Sequence, residues 1–278
     1  MTASRAFGRI VHWVTVGFLI AGGIVMVFPI FWLFSTSLRP APELLFIPPR
    51  LLPEHWTLDN YAKAFASAPL LKYLWNSVVF ATVSTVAIIV TSTTAGYIFA
   101  KFRFPGRTLL FLLVLATAII PFEIYMVPLF TQMNALKLVN TPLGLYLPFL
   151  VLSYGIFFMR QNTITSVPDE LLDAARIDGM SETRIMLQLV PRLLAPAVAA
   201  LAILAFIQAW TAFIWPLLIL NKPDLFPMEL GLSQFANTRV DFGLTSAAAV
   251  VAMLPTLIAF LLLRRRIVDG ITLTGLKG

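Results

Sequence analysis

Between two long apolar stretches, residues 160–192 gather five carboxylates (Asp169, Glu170, Asp173, Asp178, Glu182) and four arginines (Arg160, Arg176, Arg184, Arg192). Charged groups of both signs at this density make charge-assisted hydrogen bonds, each worth about 1.5–3 kcal/mol where water is excluded. The chemistry on offer is recognition rather than bond-making, because the cluster contains no histidine or cysteine to serve as base, nucleophile or soft metal ligand. A second ionisable group stands apart: Glu123, in AIIPFEIYMVPLF, between Pro121 and Pro128.

What surrounds these groups is lipid-soluble. Hydrophobic residues make up 59% of the 278-residue chain and charged residues 12%, with a mean hydropathy of +0.88. Soluble chains carry about 25% charged residues, so the composition is that of a polytopic membrane protein. Six stretches supply the ~20 mostly apolar residues that a helix needs to cross the hydrocarbon core: 11–38, 73–100, 108–135, 138–159, 193–221 and 242–263. Glu123 is the one Asp, Glu, Lys or Arg inside any of them. The first stretch follows Arg5 and Arg9 but far exceeds the ~7–15 residues of a signal-peptide core, which marks it as a retained helix. The expectation is one all-α transmembrane domain over 1–278, with 160–192 as its largest loop.

Lys and Arg collect in cytoplasmic loops. Of the 20 basic residues, 13 fall on the side that holds both termini and 7 on the other, which predicts both termini inside. The net charge of +7 is thereby explained by loops lying against anionic headgroups, and no nucleic-acid module is visible. Cysteine is absent, excluding disulfides and thiolate metal sites. His12 and His55 are too distant in sequence to form a local ligand pair, so no metal is assigned. There is no Gly-rich phosphate loop, dinucleotide turn or H-E-x-x-H helix. If ATP drives this protein, another chain binds it.

Local signals in the loop agree with one another. Ser166 precedes Pro168 and Asp169 in an S-x-x-D variant of the capping box, and Asp169, Glu170 and Asp173 then lie near the positive end of the helix dipole. Gly179 stands where a left-handed residue would end the helix. A second short helix is expected from Ser181 to a stop before Pro191. On a helical wheel, Leu171, Leu172, Ala174 and Ala175 share one arc, opposite Glu170, Asp173 and Arg176. Alanines permit close approach of another surface, whereas helices that lie on a membrane favour basic polar faces and bulky anchors. The helix reads as a plug for a soluble partner.

These residues carry a resemblance. Val167-Pro168, Glu170-Leu171, Asp173-Ala174-Ala175-Arg176-Ile177-Asp178-Gly179, Pro191 and Pro196 closely resemble the EAA signature of permease subunits of binding-protein-dependent ABC importers. LLPEHWTLDNYAKAF (51–65), IIPFEIYMVPLF, LVNTPLGLYLP (138–148), FPMELGLSQF (226–235) and the tail GITLTGLKG (270–278) look like the maltose-type carbohydrate branch.

The resemblance implies a type I importer permease fold in a bacterial cytoplasmic membrane. It implies four kinds of partner or neighbour: an external solute-binding protein, a second homologous permease, two ATPase subunits that bind ATP and Mg, and membrane lipid. The coupling residues it implies are Glu170, Asp173, Ala174, Ala175, Asp178 and Gly179, and the tail 270–278 would also reach the ATPase. The chain departs from the family twice: Asp173 replaces the leading Glu, and FIQAWTAFIWPLL lacks the Asn and acidic residue that often follow the tryptophan.

Candidate pathway residues are Glu123, Gln208, Trp210 and Thr211. Amides, hydroxyls and aromatic faces suit sugars, yet Trp210 equally suits helix packing, and Glu123 equally suits the outer headgroups. Two rival functions remain. A stand-alone carrier or channel needs ion-coupling residues in its spans, and Glu123 alone qualifies. A membrane enzyme needs a cluster of nucleophile, acid and base, which the loop does not contain.

Overall fold

The computed structural model describes residues 2–236 and 241–275, with side chains at 11–235, 241–258 and 261. Among these residues the protein is helical throughout, with no strand. Its chain falls into two units. One runs from the N-terminus to Leu70 and includes 232–254; the other comprises 71–231 and the remainder of the last helix.

In the first unit, α1 (Thr2–Ser37) is a single long helix. Its apolar side chains point outward, Phe18 being 78% and Met26 79% exposed, as expected of a helix whose surroundings are hydrocarbon. The chain after α1 is pinned by buried polar groups. Arg39, 3% exposed, donates to Ser35 Oγ at 2.9 Å and to the Arg50 carbonyl, and its guanidinium lies 4.9 Å from the Trp32 ring. The Glu43 carboxylate accepts the backbone N–H groups of Glu54 and His55, each at 2.9 Å, beside His55 Nδ1 at 3.0 Å. Helix α2 (Asp59–Ser67) is tied back by Asn60, whose amide donates to the carbonyls of Ser37 and Arg39.

The second unit holds most of α3 (Leu70–Lys101), then α4 (Arg107–Ile119), α5 (Phe122–Ala135), α6 (Pro142–Phe149), α7 (Ser153–Ser166), α8 (Asp169–Ile177), α9 (Glu182–Leu193), α10 (Ala195–Trp210) and α11 (Ile214–Ile219). Helix α12 (Met228–Ala236) and helix α13 (Phe242–Gly275) straddle the two units. Helices α3 and α7 approach closely through small residues: a Cβ on Gly96 would meet Met159 Cβ and Arg160 N at 2.8 Å, and one on Gly155 would meet Ser92 Oγ at 2.5 Å. A core of Ile88, Tyr97, Met159, Leu172, Ile185, Leu194 and Leu201 joins α3, α7, α8, α9 and α10.

Three stretches read from sequence as single spans are interrupted. The 108–135 stretch is α4 and α5, bent by 102°. Pro121 has no N–H to continue the helix and drives Ile120 into an extended conformation (φ −77°, ψ 117°). Pro128, by contrast, sits inside α5. The 138–159 stretch is α6 and α7, bent by 41°. The 193–221 stretch is α10, an unwound turn at 211–213 and α11. Helix α7 also runs beyond Met159 to Ser166, so the loop proper begins at Val167.

Candidate functional site

Helix α8 starts two residues later than its capping signal suggested. Ser166 is the last residue of α7, and Pro168 occupies the N-cap position without a side-chain bond. An intact fourth-span helix takes Ser166 first, and proline's fixed φ then starts α8 without a cap. The C-terminal end follows the sequence reading. Gly179 is left-handed (φ +81°). Its N–H reaches the Arg176 carbonyl at 3.0 Å, and the Met180 N–H reaches the Ala175 carbonyl at 2.9 Å. These are the two bonds of a Schellman motif.

The Ser181 hydroxyl caps α9, but α9 does not stop before Pro191. It passes through a π-helical turn at Ile185–Leu189 and continues to Leu193. The widened turn, closed by Val190 N–H onto the Ile185 carbonyl, accommodates a proline that cannot donate to Leu187.

The apolar arc of α8 is divided between two surfaces. Leu172 is buried in the core, whereas Leu171 is 39% and Ile177 86% exposed. Leu171, Ala174, Ala175, Asp178, Gly179, Met180, Arg184 and Leu189 line a groove of about 350 Å³. A wheel with a wide apolar arc cannot reveal which edge the core will take.

The charges are more committed than their types implied. Arg176 Nη1 donates to Asp173 at 2.7 Å, while its Nε and Nη2 donate to Glu182 at 3.1 and 3.2 Å. The Tyr97 hydroxyl also donates to Glu182. Lys101 Nζ reaches Asp169 and the Val167 carbonyl, both at 2.6 Å. Hydrogen bonds from Arg176, reinforced by Tyr97 and opposed by partial burial, hold the Glu182 carboxyl below the usual carboxylate range. Lys101 does the same for Asp169, and Glu182 raises the already high Arg176. Glu170 makes no such bond among the described residues and remains exposed. Sequence reasoning did not select Tyr97, Lys101 or Glu182. The signals were that Glu182 belongs to the charge cluster and that Lys101 begins the loop after the second span.

A second feature lies where the helices break. The ends of α4 and α5, of α6 and α7, and of α10 and α11 converge on a cavity of about 660 Å³. Its polar lining comes from Thr117, Ser153, Gln208 and Thr211, and its aromatic lining includes Tyr125, Tyr154, Phe213 and Trp215. Thr117 and Ser153 hydroxyls are 2.6 Å apart. The Trp215 indole N–H donates to the buried Gly144 carbonyl at 3.1 Å. Gln208 and Thr211 thus face the cavity. Trp210 is 2% exposed and stacks on Phe206, and Glu123 is exposed on the first turn of α5, outside the lining. The prolines 121 and 148, within apolar stretches, were the available clue to the cavity's position. The side chains of the tail 270–278 lie outside the described residues.

The family described as binding-protein-dependent transport system inner membrane component matches residues 92–271. The arabinooligosaccharides transport system permease protein AraQ of Halalkalibacterium halodurans is 38% identical, over 99% of each chain. The diacetylchitobiose uptake system permease protein NgcG of Streptomyces coelicolor is 30% identical, over 98% of this chain and 89% of its own. A crystal structure of a bacterial ABC transporter involved in the import of the acidic polysaccharide alginate has a chain with the same fold. Its TM-score is 0.83 at 20% identity, over 95% of this chain and 98% of that one.

Proposed function

The chain belongs to the family of binding-protein-dependent transport system inner membrane components, and we propose that it is a permease subunit of an ATP-driven importer for a carbohydrate or sugar derivative. The permease is the non-catalytic part of such an importer. ATP and Mg belong to two partner ATPase subunits, a second permease completes the path, and an external binding protein delivers solute. The similarity to permeases named for arabinooligosaccharides and diacetylchitobiose supports the substrate class. The distribution of Lys and Arg supports cytoplasmic termini in a bacterial cytoplasmic membrane.

The observation that carries the mechanism is the division of α8 between two surfaces. Leu172 anchors the helix in a core shared with α3, α7 and α10, while Leu171, Ala174 and Ile177 face outward. Movement imposed on the outer face by a closing ATPase pair therefore passes to helices that cross the membrane. Two of those helices, α7 and α10, end in breaks that line the 660 Å³ cavity. Backbone freed at membrane depth is tolerated where it lines a wet cavity, and its N–H and C=O groups, with neighbouring hydroxyls and amides, suit a polyhydroxyl solute. Glu170 and the groove beside Ala174 are the coupling contacts, with Asp173, Ala175, Asp178 and Gly179 shaping them.

The test is co-expression with the genomic neighbours, gentle-detergent purification and reconstitution. An ATPase and a second permease co-purify, and ATP drives solute uptake dependent on a binding protein. Asp173→Lys, which places a cation beside Arg176, reduces ATPase recovery while the permease still inserts. A permease that purifies alone and moves solute without ATP is a stand-alone carrier.

A further inference from the structure

The coupling helix α8 is joined covalently to α7 on one side and to α9 and α10 on the other. Helix α3 has no such connection, since the whole of 102–168 intervenes. Its link to α8 is made by side chains, and these meet on one carboxylate. Glu182 accepts the Tyr97 hydroxyl from the end of α3 and two N–H groups of Arg176 from α8, and Arg176 also holds Asp173 one turn earlier. One residue turn further along α3, Lys101 grips the start of α8 through the Val167 carbonyl and Asp169.

We propose that Tyr97, Glu182 and Arg176 form a strut that fixes the angle between the coupling helix and the second span, so that α3 turns with α8 during transport. The assignment rests on reading α8 as the coupling helix. Apolar packing around Leu172 holds the elements together but allows sliding. A planar guanidinium bonded through two nitrogens to a carboxylate, itself bonded to a tyrosine buried in α3, sets direction as well as distance. Arg176 and Glu182 side chains are 43% and 38% exposed, and ion pairs so wetted add little to folding stability. Their function is therefore positioning. Tyr97 is 0% exposed, with its ring packed edge-on against Phe102 at 5.6 Å, so Tyr97→Phe removes the hydroxyl and leaves the packing.

The experiment uses the assembled complex in proteoliposomes, comparing wild type with Tyr97→Phe and Glu182→Gln. ATP hydrolysis and solute uptake are measured together. Both variants retain the ATPase subunits and hydrolyse ATP within about twofold of wild type, while solute moved per ATP falls about tenfold, the scale of one lost charge-assisted bond. This chain has no cysteine, so in a complex whose partner subunits are made cysteine-free a single spin label sits at Ile177→Cys, and its spectral lines narrow in both variants as α8 gains angular freedom. Unchanged solute per ATP in both variants, with a wild type that pumps, overturns the strut and leaves the importer reading standing. Loss of ATPase from Tyr97→Phe also overturns it, because the hydroxyl would then be an assembly contact. A wild-type complex without ATP-dependent uptake overturns the coupling reading itself, and the strut with it.

Discussion

The loop that holds α8 and the cavity at the helix breaks solve the same problem, polar recognition in a lipid-soluble chain, by opposite means. In the loop, polarity is built from full charges: Asp169 with Lys101, and Asp173 and Glu182 with Arg176, hold the helix in place, while exposed Glu170 is left for a partner. The cavity is lined by hydroxyls, an amide and aromatic rings, and Glu123, on the first turn of α5, is not part of its lining. Water solvates an ion at the loop at little cost. At membrane depth an ionised group is expensive, and polarity comes instead from neutral side chains and from backbone exposed where proline or an unwound turn interrupts a helix. Charge density therefore marks one site in the sequence, whereas the other is marked only by prolines and by the uncharged polar residues Gln208 and Thr211.

The contrast can be broken at several points. The largest effect is expected from Gly179→Val. A side chain here meets open space, so the penalty is entirely that of a β-branched residue at φ +81°, about 1–3 kcal/mol at the turn that closes α8. ATP-driven uptake at equal membrane levels should fall at least about tenfold, while Gly179→Asn, whose side chain tolerates the left-handed region, keeps most of it. Near-normal uptake by the valine variant would remove the turn from the mechanism. Next is Gly96→Val, which forces a side chain against the backbone of α7 at 2.8 Å. Overpacking of this kind costs about 1–3 kcal/mol, and the thermal midpoint of the detergent-purified complex should drop. An unchanged midpoint would mean that α3 and α7 are not held by this contact.

Smaller effects separate the two regions. Gln208→Ala with Thr211→Val should lower uptake by about three- to tenfold, on the scale of one or two neutral hydrogen bonds, without altering ATPase recovery. Loss of ATPase instead would place these residues in the coupling machinery. The smallest effect is that of pH. Glu182 and Asp169 have depressed carboxyl pKa values, so their contribution is fully present above the ordinary carboxylate value and is lost as pH falls through the lower folded value. Solute moved per ATP should therefore be flat from about pH 6 to about 8, and a step in that range would implicate a different group.

Much of the architecture was legible because it follows from transfer energies. Uncharged stretches of about 20 residues have few alternatives to helix, and Gly179 with the preceding Asp173-Ala174-Ala175 predicted a helix ended by a left-handed turn, as the structure has it. Ser166 misled because two neighbouring helices competed for it and the longer one prevailed. Pro191 misled because a π-turn absorbs a proline that an ordinary helix would reject. Tyr97 and Glu182 were invisible as a pair: 84 intervening positions separate them, and their contact, across |i−j| = 85, exists only once α3 and α9 pack.

The sequence by itself determined that this chain lives in a membrane, which stretches are apolar, where its charged helix lies and how that helix ends. Each of these depends on local composition or on backbone conformations set by one or two residues. Only the tertiary structure decided which edge of α8 enters the core, which carboxylates are already paired, and that three separate helix breaks share one cavity. Those outcomes depend on packing between segments far apart in sequence, where neighbours in space compete for the same groups and the local pattern carries no record of the winner.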